Sequence, residues 1–118
     1  MNLNQIYNGL QDSFIRIRHC VSVGSYNQKL FEDTINQIKD YQKFIVDNQF
    51  CSECPILLYC IETLFEIIDE NNKEKLYHFA DTIHNMPEIY LKRRSIESFS
   101  LEIETFCDMY GNSYFKCF

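Results

Sequence analysis

The feature that most limits what this chain can fold into is the spacing of its first apolar residues. Leu3, Tyr7, Leu10, Phe14, Ile17 and Val21 are separated alternately by four and three positions. At about 100° per residue these side chains form one stripe on a helix, and the alternation suits helices that cross at a shallow angle. The same signature returns along the chain. Leu30, Phe31, Thr34, Ile35, Ile38, Tyr41 and Ile45 form a second stripe, and Leu57, Cys60, Ile61, Leu64, Phe65, Ile67 and Ile68 a third. Leu76, Phe79, Ala80 and Ile83 form a fourth, and Ile96, Phe99, Ile103, Phe106, Cys107 and Tyr110 a fifth. The predicted helices lie near 3–22, 26–47, 55–70, 73–85 and 95–110, with an aromatic tail over 111–118.

The boundaries carry stop and start signals. Gly24 ends the first helix, and Ser25 with Gln28 predicts a capping box for the second. Pro55 suits the first position of the third helix, where its missing N–H does no harm. Asn71 followed by Glu74 predicts the start of the fourth, and Gly111 ends the fifth. The 118 residues include only three Gly and two Pro, too few turn formers for a sandwich or barrel of short strands. The expectation is an all-α, single-domain bundle or array of four to five helices.

Charge and termini narrow the function classes. A net charge of −6 repels phosphate, and Lys92, Arg93 and Arg94 are too short a basic run to reverse that, so nucleic acid is not expected as a partner. The opening MNLNQIYNGL has neither a basic leader nor an apolar core. No apolar run approaches the roughly 18–20 residues that span a bilayer. The expected location is therefore cytoplasmic, away from membranes, and the six cysteines are expected as reduced thiols.

Two constellations invite chemistry. In HFADTIHNMPEIY, His78, Asp81 and His84 recur every third residue. His78 and His84 are separated by a rise of about 9 Å, at about 1.5 Å per residue, too far for both to hold one ion unaided. The realistic units are the pairs Asp81 with His84 or His78 with Asp81, and a ferritin-like centre would need a second acid-x-x-His that the chain lacks. The stretch also reads as a helix stop. Asn85 favours a left-handed turn, Pro87 cannot continue the helix, and a histidine in the last turn suits the dipole with Asp81 holding its ring. The segment FADTIHNMPEIY resembles one that recurs in small, uncharacterised helical proteins of low-GC Gram-positive bacteria. The resemblance carries no activity, and it implies Asp81, His84, Asn85 and Pro87 as residues to test.

The second constellation is Cys51-Ser-Glu-Cys54-Pro55. Its spacing suits zinc, and a cysteine at a helix N-terminus has its thiolate stabilised by free N–H groups. Two more ligands would have to come from a distance, from Cys107, Cys117 or His84. A thioredoxin-like reading fails for want of a strand before the motif. The acids Glu62, Glu66, Asp69 and Glu70 read as a solvated face of the third helix. The resulting expectation is a non-enzymatic protein-interaction or regulatory module without a cofactor, whose partner is another protein or a second copy. One alternative is a zinc protein using Cys51 and Cys54 or the Asp81–His84 pair. A weaker one is a small helical enzyme with a pocket lined by Tyr77, Asp81 and His84.

Overall fold

The computed structural model describes residues 1–22 and 26–85. They form four helices: α1 (Leu3–Cys20), α2 (Gln28–Asp47), α3 (Pro55–Asp69) and α4 (Lys73–Asn85). Every regular element among the described residues is a helix, so the all-α expectation holds. The expected fifth helix and the aromatic tail lie outside the described residues.

Each helix begins where local chemistry satisfies its free N–H groups. Asn2 and Gln5 close a reciprocal capping box on α1, with Asn2 Oδ1 accepting from the Gln5 N–H at 3.0 Å and Gln5 Oε1 accepting from the Asn2 N–H at 2.8 Å. α2 starts two residues later than the spacing predicts, because Asn27 is its cap, accepting from the Leu30 N–H at 3.0 Å. Pro55 stands at the start of α3 as expected. For α4 the cap is Asn72, whose Oδ1 accepts from the Lys75 N–H at 3.0 Å, and not its neighbour Asn71. Asn71 has φ 55°, the left-handed conformation that asparagine tolerates better than most residues, and it turns the chain out of α3.

The helices run up and down in an antiparallel ring. Gly9 of α1 lies against Tyr41 of α2, and Arg16 Nη1 donates to Gln37 Oε1 at 3.0 Å, so rising numbers on α1 meet falling ones on α2. Val21, just past α1, lies beside Leu76 and Lys73 at the start of α4, so these two are also opposed. α1 is the hub, packed on both α2 and α4, while α3 packs on α4 and only lightly on α2. Gly9 is what lets α2 approach. A Cβ there would overlap the Tyr41 hydroxyl and lie 2.7 Å from its Cζ, so the helix-weakening glycine is retained for close contact.

The core gathers Ile6, Leu10, Phe14 and Ile17 from α1, Ile38 and Ile45 from α2, and most of the apolar face of α3 and α4. Phe14 and Phe79 meet edge to face at 5.9 Å. Buried hydroxyls return their protons to the preceding turn: Ser13 to the Gly9 carbonyl at 2.8 Å, Thr34 to Leu30 at 2.7 Å and Thr82 to His78 at 2.8 Å. Among the described residues no buried side-chain nitrogen or oxygen lacks a partner. One expectation fails at the start of α2, where Leu30 is 38% exposed although its spacing places it on the buried stripe. Among the described residues, no helix is long and apolar enough to cross a membrane.

Candidate functional site

The Asp81–His84 stretch is built differently from the local pair its spacing suggests. Asp81 Oδ1 accepts from Arg18 Nη1 of α1 at 2.7 Å, and from Asn85 Nδ2 at 3.1 Å. Asn85 Nδ2 also donates to the Asp81 backbone carbonyl at 2.8 Å, one turn back. Among the described residues, Asp81 therefore does not hold the His84 ring; it ties α4 to α1. Asn85 is itself helical and uses its amide on that network instead of entering the left-handed region. Met86 and Pro87 lie outside the described residues. Tyr77 stacks at a steep angle on its neighbour His78, with ring centroids 5.5 Å apart. No hydrogen bond among the described residues links Tyr77, Asp81 and His84 into a catalytic relay.

The physical reason for the Asp81 outcome is competition. A guanidinium on the neighbouring helix α1 is a permanent cation whose planar fork suits a carboxylate, and it reaches Asp81 at hydrogen-bond distance. The pair is half exposed, with side-chain accessibilities of 33% for Arg18 and 27% for Asp81, so water and salt weaken it. Asp81→Asn is expected to cost about 1 kcal/mol or less in urea unfolding, with the loss shrinking at high salt. A loss of several kcal/mol, unchanged by salt, would show that Asp81 supports the fold through more than this pair.

Cys51 and Cys54 are not presented as an equivalent pair. Cys51 is exposed, whereas Cys54 is fully buried and its thiol donates to the Phe50 carbonyl at 3.1 Å. The stabilisation that a helix N-terminus can offer a thiolate does not prevail at Cys54. Burial first, then the nearby Cys51 and Glu53, push Cys54 up to about 11, so the neutral thiol is favoured. Cys60 is also buried, and desolvation pushes its thiol up as well. Among the described residues no three His, Cys, Asp or Glu side chains converge well enough to hold a metal ion. Cys107 and Cys117, the distant ligands a zinc site would draw on, lie outside the described residues.

A feature not anticipated from the spacing lies at the end of the bundle where α1 finishes and α2 and α4 begin. Val21, Ile67, Ile68 and Leu76 make the apolar floor of a cleft, and Tyr26, Phe31, Asn71, Asn72 and Lys73 form its walls and rim. Its connections are fixed by backbone bonds: the Asn27 N–H donates to the Cys20 carbonyl at 3.3 Å, and the Asn71 N–H to the Ile68 carbonyl at 3.0 Å. The Tyr26 and Phe31 rings lie 5.8 Å apart, and the Lys73 ammonium sits 4.0 Å from the Tyr26 ring centroid. Partial burial, with Glu32 and Cys20 nearby, raises the Tyr26 phenol above its ordinary range, so it stays neutral.

The free volume of the cleft is about 50 Å³. That exceeds the roughly 10–15 Å³ of such space that one water needs and falls far below the roughly 300–1,000 Å³ of a small-molecule site. The available signal in the sequence was weak: an aromatic, Tyr26, just before a helix start, facing a two-asparagine turn at Asn71 and Asn72.

Compared with known proteins, the chain matches no protein family model, no curated protein and no solved structure.

Proposed function

We propose that this protein is a non-enzymatic interaction module that binds another protein through the loop end of the bundle. The observation that carries the reading is the exposed apolar surface at the start of α2: Tyr26, which lines the cleft together with Phe31, is 44% exposed, and Leu30 in the first turn of α2 is 38% exposed. Large apolar groups at the mouth of a preformed cleft favour recognition of a protruding side chain, and an aromatic anchor is the commonest kind of hot spot in such contacts. The groups that suggested chemistry are engaged elsewhere. Asp81 is held by Arg18 and Asn85, and the Cys54 thiol is buried against a carbonyl.

The test is site-directed photocrosslinking in the cells from which the gene derives. A benzophenone amino acid at position 30 is expected to give a discrete heavier adduct, one that disappears when Tyr26 is also replaced by serine. The same group at position 62, on the exposed acidic side of α3, is expected to give none. Adducts from both positions alike, or from neither, would overturn the assignment of the binding end.

A further inference from the structure

We propose that the turn joining α2 to α3 is a redox switch, in which Cys51 and Cys54 close a reversible disulfide when a low-molecular-weight disulfide is present as oxidant. The turn lies at the opposite end of the bundle from the cleft, so the switch stands apart from the binding reading. Its first support is backbone geometry. The Phe50 carbonyl accepts from the Glu53 N–H at 3.0 Å and from the Cys54 N–H at 3.2 Å, so residues 51–53 are wound as one helical turn, with Cys51 and Cys54 three positions apart. Residues so spaced stand with their Cβ atoms about 5–6 Å apart, and a disulfide needs about 3.5–4.5 Å. The bond therefore asks for a closure of about 1–2 Å. Cys51, Ser52 and Glu53 are exposed and outside any helix, which leaves the turn free to tighten that far.

The two thiols have the unequal standing that such a reaction uses. Cys51 is exposed and meets the oxidant, whereas Cys54 is buried, shielded from the oxidant but not from its neighbour in the turn. Cys51 is among the groups that hold the Cys54 thiol up, an electrostatic sign that the two are close. The Cys54 thiol already points back into the turn, donating to the Phe50 carbonyl at 3.1 Å. When its sulfur leaves that carbonyl the two backbone N–H donors remain there, so oxidation orphans no buried polar atom.

The Cys51 thiolate attacks one sulfur of the small disulfide, forming a mixed disulfide and expelling one thiolate, which takes up the proton that Cys51 gave. The Cys54 sulfur then attacks the Cys51 sulfur: the bond within the turn forms, the mixed disulfide breaks, and the second small thiol leaves with the Cys54 proton. Two electrons pass from the protein to the oxidant, and one small disulfide becomes two thiols. With Cys54 pushed up to about 11, about one in a thousand is ionised at pH 8. Proximity outweighs that deficit, because groups held in place within one molecule react at effective concentrations that reach about 10⁵ M or more. The reduced turn presents a free thiol at Cys51; the closed turn presents none, and the segment entering α3 is crosslinked.

The test incubates the full reduced chain at pH 8 with oxidised glutathione, quenches with acid, and maps the thiols by mass after alkylation in denaturant. The expected product is a peptide holding both Cys51 and Cys54, lighter by the two thiol hydrogens and restored by dithiothreitol, with Cys20 and Cys60 still reduced. Native alkylation of Cys51 in the same sample should fall by about a hundredfold or more against the reduced chain. Cys54→Ala should instead hold the glutathione adduct on Cys51. Cys51→Ser, at an exposed position that leaves the core untouched, should keep Cys54 unmodified. A glutathione adduct that persists on Cys51 of the parent chain beside a free Cys54 would overturn the proposal. So would a link from Cys51 to Cys107 or Cys117, or a Cys51–Cys54 bond that forms only once urea has unfolded the chain.

Discussion

Phe14→Ala should be among the most damaging single substitutions in the described part of the chain, with an expected loss of about 3–5 kcal/mol in urea unfolding. Phe79→Ala should behave alike. Both rings are essentially inaccessible, at 1% and 0%, and they meet edge to face between α1 and α4, the most extensive helix contact. A domain of this size is stabilised by only about 5–15 kcal/mol, so either variant brings the fold close to its limit. Because the two rings touch, the double variant should lose less than the two losses added together, by about 0.5–1.5 kcal/mol. Phe14→Leu keeps most of the volume and provides the folded comparison if the alanine variant does not fold. A loss below about 1 kcal/mol for Phe14→Ala would mean that the α1–α4 seam is not the centre of the core.

The second large effect concerns the thiols. Cys51 is exposed, whereas Cys20, Cys54 and Cys60 are buried with their thiols raised above the ordinary range by desolvation. In alkylation at pH 8 followed by peptide mass mapping, Cys51 should react at once. The three buried thiols should lag by about a thousandfold or more, since each must wait for an opening that costs several kcal/mol.

The same shifts set an alkaline limit. Below pH 9 the Cys54 thiol is protonated in both states and contributes no pH dependence. Between 9 and about 11 the unfolded thiol gives up its proton while the folded one keeps it, so the unfolded state binds fewer protons and stability falls as pH rises. Tyrosines and lysines titrate in this range as well, so the readout is a difference. The stability of Cys54→Val should decline less steeply than that of the parent chain over this window. Equal slopes would show that Cys54 is not shielded, and rapid labelling of Cys54 at pH 8 would show the same.

How much of this was legible in advance differs from residue to residue. The stripe Leu10, Phe14 and Ile17 is buried as its spacing implies, and so is the α4 set Leu76, Phe79, Ala80 and Ile83. Helical periodicity reports which side of a helix a residue takes, and one side of every helix had to be covered. Leu30 is more exposed than its spacing implies because it lies at the edge of the stripe, about 100° round the helix from Phe31, which faces Val21, Ile67 and Leu76. The caps slipped by one or two residues at Asn27 and Asn72 because several asparagines and serines compete at each turn and all satisfy the same rule.

The Asp81–His84 pair failed as a unit for a different reason. Spacing on α4 places the two residues within reach of each other but says nothing of Arg18, sixty-three positions earlier, whose guanidinium takes the carboxylate. Likewise, the helix-start position of Cys54 left both a stabilised thiolate and a small buried thiol open, and its burial against the Phe50 carbonyl, which no local pattern reports, favours the neutral thiol.

The sequence by itself determined the helical class, the buried stripes and the approximate helix limits, because these follow from short-range periodicity and from capping within a few residues. Only the tertiary structure decided that α1 is the hub and that Gly9 exists to admit Tyr41. It alone decided that Asp81 binds across helices, and that Tyr26, Phe31 and Lys73 from separate turns meet around one cleft. Each of these is a contact between residues far apart in the chain, set by how the helices pack, and no local pattern encodes which distant side chain will arrive.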